Sequence, residues 1–230
     1  WRYNNRGYYF YSKKSLKITG GIMNISQNIL NNILSNFEKR NMKGYFVENI
    51  PQLVKLIKEL VPENSIVGCG DSITLEEAGI YSIFRNGNFF FLDKYKKDLT
   101  KEEKREIYIK NFSADTFISG TNAITEDGKI FNIDGNGSRI APIIYGPKQV
   151  IIVVGINKIV PDLGHAVLRA RQTAAPLDAV RLGKTTPCAK LGYCIDCHHP
   201  ERICNSFVNI EGQFIKDRIK IIIVDMNMGF

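Results

Sequence analysis

The sequence predicts an α/β fold built on a largely parallel sheet, with one hairpin inserted near the middle. Three observations carry this. Short apolar runs of strand length alternate with segments of helical period along most of the 230 residues. Two such runs end directly in glycine, at Gly68 and Gly120, as strands that open onto ligand loops do. Val150, Ile151, Ile152, Val153 and Val154 form an unbroken apolar run, the pattern of a strand buried on both faces.

The elements follow in order. Asn24 is placed to cap a first helix, with Gln27 reaching back from the third position. Ile29, Leu30, Ile33, Leu34 and Phe37 recur at helical spacing and carry that helix to about Asn41. Gly44 leads into a strand over 45–47. Asn49 and Pro51 open a second helix, since proline is tolerated in a first turn. Leu53, Val54, Ile57, Leu60 and Val61 are its buried stripe, and Pro62 ends it. Ser65-Ile66-Val67 reads as a strand that runs into Gly68-Cys69-Gly70. Thr74 followed by Glu77 reads as a capping box for the next helix, which extends to about Phe84.

Asn86-Gly87 is a turn signal, residues 88–92 a strand and residues 93–99 a charged loop. Thr100 and Glu103 form a second capping box, for a helix over 101–111 with a solvated face. A strand over 116–119 follows. Asp127-Gly128 lies between Ile124-Thr125-Glu126 and Lys129-Ile130-Phe131, the signature of a two-residue hairpin turn. After the strand over 149–154, a helix starts near Pro161 with Leu163, Ala166, Val167 and Ala170 on one face. Residues 220–224 are a last buried strand.

Hydrophobic content of 44% and charged content of 23% belong to an ordinary globular chain. No apolar run approaches the roughly 20 residues of a membrane span, and no secretory apolar core is visible, so a cytoplasmic protein is expected. The formal charge of +8 owes much to Arg2, Arg6, Lys13, Lys14 and Lys17, in a stretch without acidic residues. Without residues 1–22, 26 basic residues face 23 acidic ones, a balance of +3 that is too mild to imply a nucleic-acid partner. Residues 1–22 are expected to be a non-native or disordered extension. Residues 23–230 form the α/β domain, in which 184–206 is rich in Cys, His, Pro and charge.

Two loops are candidates for binding. A strand, a glycine loop and a helix start over 65–79 fit a site for a negative group, and equally an ordinary strand-to-helix turn. Gly68, Gly70, Asp71, Ser72 and Thr74 are its candidate contacts. The second loop supplies Gly120, Thr121 and Asn122 at a strand end, then Asn136, Gly137 and Arg139 after the hairpin. There Ser138 is placed to cap a helix, and Arg139 has the fork that meets a carboxylate or phosphate bidentately. Glu77 and Asp134 are the candidate acid–base or hydrogen-bonding groups. Cys69, within the first loop, is expected to be a small buried residue.

Cys188, Cys194, Cys197 and Cys204 have the spacing C-x5-C-x2-C-x6-C, four of the five cysteines of the chain. The C-x2-C pair lets two thiolates converge on one metal. Four thiolates suit zinc and an iron–sulfur cluster equally, and with zinc His198 or His199 can replace one cysteine.

The segments GDSITLEEAG, FISGTNAITEDGKIFNIDGNGSRIAPIIYGPKQVIIVVG and TPCAKLGYCIDC together resemble the LUD-domain family of lactate-utilisation proteins. The resemblance spans roughly residues 24–230. It implies a Rossmann-like sheet of the ribose-phosphate isomerase and coenzyme A transferase type, with the ligand on glycine loops at strand ends. Ser72, Thr74, Glu77 and Gly79 match the family pattern in the first loop, and Gly120, Asn122, Gly128, Asp134, Gly135 and Asn136 in the second. It further implies a small anionic metabolite, a place in an L-lactate-to-pyruvate redox system, iron–sulfur partner subunits and a 4Fe–4S cluster in preference to zinc; a homo-oligomer is a separate expectation. A non-catalytic scaffold or electron-relay subunit and a coenzyme A or acyl-transfer enzyme are the alternative roles. Isomerase relatives tend to carry an acid in the segment aligned with 120–122. Asn122 stands there instead and cannot act as a general base.

Overall fold

The computed structural model describes residues 25–230 and, ahead of them, two short paired strands, β1 (Arg2–Tyr3) and β2 (Tyr9–Phe10). The expected boundary at residue 23 lies outside the described residues. The α/β class holds. β3 (Lys43–Val47), β4 (Ile66–Cys69), β5 (Phe90–Phe91), β6 (Thr116–Gly120), β9 (Gln149–Gly155) and β12 (Ile219–Val224) form a six-stranded sheet of order β3-β12-β9-β6-β4-β5. Every pairing in it is parallel. The inserted hairpin, β7 (Ala123–Thr125) and β8 (Ile130–Asp134), belongs to a second sheet of order β10-β7-β8-β11, with β10 (Ile159–Val160) and β11 (Ser206–Ile210).

The large sheet is buried on both faces, and the alternation of its central strands decides which residue goes where. Ile151 and Val153 of β9 and Ile222 and Val224 of β12 pack with α2 (Ile50–Leu60), α3 (Ile73–Glu77) and α4 (Ile80–Asn86). Val150, Ile152 and Val154, with Ile219, Ile221 and Ile223, face α1 (Gln27–Lys39) and Ile124 and Ile130 of the small sheet. The other face of that small sheet, Ala123, Phe131 and Ile133, packs on Ala166 of α7 (Leu163–Arg169) and on Ala170. Ala170–Ala174 is a π-helical turn that leads into α8 (Ala175–Arg181).

Several caps differ from expectation. Ser26, not Asn24, caps α1, and Ser72, not Thr74, caps α3 by accepting the Leu75 N–H at 3.3 Å. The capping box at Thr100 and Glu103 is present on α5 (Lys101–Lys110). Ser138 makes no cap on α6 (Ile140–Ile144), whose Ala141 N–H bonds to Gly137 O instead. The hairpin turns one residue wider than its Asp-Gly pair predicts. Gly128 N–H donates to Thr125 O and Thr125 N–H to Lys129 O, with Gly128 left-handed at φ 85°. This is a type I turn closed by a glycine bulge.

Candidate functional site

Strand order places the site. From β4 the chain moves outward to β5, then returns to lay β6 on the other side of β4 and continues to β9 and β12. The reversal falls between β4 and β6, and ligands of such sheets bind beyond the strand ends at that switch point. Both glycine loops leave the sheet there. A cavity of about 610 Å³ opens between them, closed on its far side by α8 and by residues of the cysteine segment.

Of the residues expected from sequence, Asp71, Ser72, Gly120, Thr121, Asn122, Asp134, Asn136 and Arg139 line the cavity. The others have other work. A Cβ on Gly68 would lie 2.4 Å from Asn111 Oδ1, and one on Gly70 2.3 Å from Ser119 Oγ. These glycines let β4 and the residue after it pack on their neighbours, and neither is among the residues that line the cavity. Gly137 is left-handed, and its N–H donates to Asp134 Oδ1 at 3.0 Å. Thr74 is fully buried and accepts from Lys158 Nζ at 2.8 Å. Glu77 is exposed away from the cavity, where its Oε2 accepts the Gly229 N–H at 2.7 Å.

Arg139 is not a free fork. Its Nη1 donates to Asn132 Oδ1 and Gly120 O, and its Nη2 to Asn122 Oδ1 and Ile133 O. Four of its donors are thus spent on pinning β6 to β8, and it offers the cavity its charge. Asn122 is spent the same way, because its Oδ1 also accepts the Ile133 N–H at 2.8 Å. The Thr121 hydroxyl is buried against Phe131 O at 3.0 Å. Asp134 is different. Only 7% exposed, it caps its own turn with Oδ1, while Oδ2 has no hydrogen-bond partner among the described residues and lies 3.7 Å from Arg139 Nε.

The sequence reading missed most of the cations. Lys94, Lys158, Arg181, Lys184 and Arg202 all line the cavity with Arg139, against the carboxylates Asp71, Asp134 and Asp178. Lys94 sits over the rings of Tyr95 and Tyr108, and burial lowers its pKa. Burial opposes ionisation of Asp71, yet Lys94, Arg181 and the Tyr95 hydroxyl hold its carboxyl below the usual range. Arg181 bridges Asp71 at 2.8 Å and Asp178 at 2.7 Å. Burial, then Arg169 and Arg139, push Lys158 down to about 7. Arg202 Nε is buried without a hydrogen-bond partner among the described residues. Lys94 and Lys158 each follow the end of a parallel strand. The rule that ligands sit at those ends is the signal that would have found them.

The cysteines lie beside this cavity. Cys188 is on α9 (Pro187–Leu191), its Sγ 3.3 Å from Thr186 Oγ1. Cys194 Sγ accepts from Asp196 N–H at 3.3 Å and from Arg171 Nη2 at 3.6 Å. Burial raises the Cys204 thiol, and Cys194 and Cys197 are near enough for their charges to add to that. Among the described residues no three His, Cys, Asp or Glu side chains come together as a set able to hold a metal ion. As placed, the four thiols are therefore not a ready ligand set for a cluster or for zinc. His199 Nδ1 accepts the Glu201 N–H at 3.2 Å. Cys69 is buried, which pushes its thiol up to about 12, as befits a packing residue.

Fold and cavity together define a Rossmann-like α/β protein with a polar cavity at the switch point of its parallel sheet. The chain belongs to the LUD-domain family, whose model matches residues 30–224. It is similar to a DUF162 family protein from Deinococcus radiodurans, at 13% identity and a TM-score of 0.50, over 87% of this chain and 99% of that one. A more distant likeness is to ribose 5-phosphate isomerase from Plasmodium falciparum, at 17% identity and a TM-score of 0.30, over 49% of this chain and 52% of that one. The isomerase A of Neisseria gonorrhoeae is 15% identical, with a TM-score of 0.31, over 60% of this chain and 56% of that one. No curated protein sequence matches the chain. Among the described residues no helix is long and apolar enough to cross a membrane.

Proposed function

We propose that this chain binds a small anionic metabolite in the switch-point cavity and serves in an L-lactate-to-pyruvate redox system, alongside iron–sulfur partner subunits. The observation that carries the anion is the lining itself: five cationic side chains, and Lys158, which burial pushes toward the neutral amine, against three aspartates. Two buried groups there await partners of opposite kind, Arg202 Nε as a donor and Asp134 Oδ2 as an acceptor. A 2-hydroxy acid offers both, a carboxylate to the guanidinium and a hydroxyl proton to the aspartate. Asp134 is thus the acid–base candidate in the cavity, whereas Glu77 stands outside it.

The cofactor is a second proposal. A 4Fe–4S cluster, or zinc, at Cys188, Cys194, Cys197 and Cys204 requires those four side chains to converge.

A thermal-shift series with L-lactate, pyruvate and inorganic phosphate tests the anion site, with neutral lactamide as control. At least one anion should raise Tm by mass action, and Lys184→Ala should weaken that effect. The reading is wrong if no anion stabilises the protein, or if lactamide does so equally well.

A further inference from the structure

Lys158 lies just past the end of β9, in a 3₁₀ turn (Ile156–Lys158), and is 4% exposed while lining the cavity. A buried lysine is normally held as an ammonium by a carboxylate. Here Nζ has Thr74 Oγ1 as its hydrogen-bond acceptor at 2.8 Å. The Thr74 hydroxyl directs its own proton away, to Met228 O at 3.4 Å. Two consequences follow. An ammonium has three donors to place and meets one acceptor among the described residues, so the neutral amine is the better fit. The lone pair of that amine is also not consumed by the threonine proton.

The charges around Lys158 act in the same direction. Burial comes first, followed by the guanidinium groups of Arg169 and Arg139, with Glu77 and Asp178 opposing them more weakly. Desolvation beside other cations is one of the ways proteins make a lysine nucleophilic at neutral pH.

We propose that Lys158 is a nucleophilic lysine that forms a reversible imine with the carbonyl carbon of a 2-oxo acid bound in the cavity. The Nζ lone pair forms the C–N bond as the carbonyl π pair moves to oxygen, and a proton passes from nitrogen to that oxygen. Departure of the hydroxyl as water, with one proton taken from solvent, leaves a protonated imine, and nothing is oxidised or reduced. The cationic lining receives the carboxylate of the same molecule. This inference rests on the anion-binding reading above.

The test uses the full chain, pyruvate as probe and sodium borohydride, which delivers hydride to the C=N bond and fixes it. Peptide mapping should find one reduced pyruvate on Lys158, with a yield that rises with pH through about 7. Lys158→Arg should give no adduct. Stabilisation by pyruvate without an adduct overturns the imine and leaves the anion site standing. An adduct carried by other lysines and not by Lys158 overturns it as well. Neither stabilisation nor adduct overturns both. The wild-type result decides the matter even if the variant does not fold.

Discussion

Replacing Arg139 by Met removes the fork that ties the two loops together. The side chain is 12% exposed, and it donates to two side-chain amides and two backbone carbonyls, from β6, β8 and Asn122 between β6 and β7. Hydrogen bonds to a charged group contribute about 1.5–3 kcal/mol each, but four that share one guanidinium do not add. Two of the acceptors belong to Asn122 and Asn132, whose side chains can turn toward other donors. Two are carbonyls fixed by the strands. The loss also leaves Asp134 without its neighbouring positive charge. Breaking a buried charged network of this kind costs about 3–5 kcal/mol. Against a typical stability of about 5–15 kcal/mol the variant still folds, with a clearly lower urea midpoint. Ligand stabilisation should fall with it, although four of the five Arg139 donors are spent within the protein, because the loops that shape the cavity come apart. A loss below about 1 kcal/mol would show that β6 and β8 are held in register without the fork, and the reasoning would be refuted.

Three further outcomes are expected. Gly120→Ala brings a Cβ to 2.4 Å from Ser72 Oγ, so it should displace the α3 cap and destabilise by about 1 kcal/mol or more; Ser72→Gly should suppress most of that cost, and purely additive losses would place the strain elsewhere. Burial opposes ionisation of Asp93, but Arg85 at 2.7 Å holds its carboxyl below the ordinary 3.8. The pair's stabilisation is therefore full above that value and lost as pH falls below it, and acid titration of Arg85→Gln should show a shallower loss than wild type. Protein purified without oxygen should carry visible iron–sulfur absorption or about one equivalent of zinc, lost in Cys197→Ser; free alkylation of all four cysteines in native wild-type protein would exclude the centre.

What was legible in the sequence follows from how far each signal reaches along the chain. β9 and β12 were plain because both of their faces are buried and the apolar run is continuous. β11 was missed because Ser206, Val208, Asn209 and Ile210 are half-buried and Phe207 is exposed, so neither alternation nor a continuous run appears. The sequence pattern places the cap of α3 two residues late, because Thr74 and Glu77 satisfy a local pattern while Thr74 is occupied by Lys158 from the 3₁₀ turn after β9. The same reach explains the site. Its glycine loops are local motifs, but its cations come from after β5, after β9, from α8 and from the cysteine segment. Only the strand order brings them together.

That convergence has a mechanical consequence for the cysteine segment. Arg202 lines the cavity and donates to Cys197 O at 2.6 Å and Cys204 O at 2.8 Å. Asn205 N–H donates to Asp134 O at 3.0 Å, and its Nδ2 to Gly135 O at 3.1 Å. One residue later β11 begins, with Ser206 directly opposite Asp134 in an antiparallel pair. Cys204 is therefore two residues from a rigid ladder that carries the acid–base candidate. It packs on the cluster of Phe131 and Ile133 besides. Thiols brought together by a metal, or by oxidation, cannot move without pulling on Arg202 and on the Asp134 turn. A cavity ligand that contacts Arg202 or Asp134 more tightly in one arrangement of the cysteines would in turn favour that arrangement. Linkage makes the two effects equal in free energy, so a redox or metal-dependent change in ligand affinity is matched by a ligand-dependent change in metal affinity or potential. Lys184, Arg202, Ile203 and Asn205 of the cysteine segment wall the cavity, so a metal or redox change at the proposed centre would be read as a change in ligand affinity.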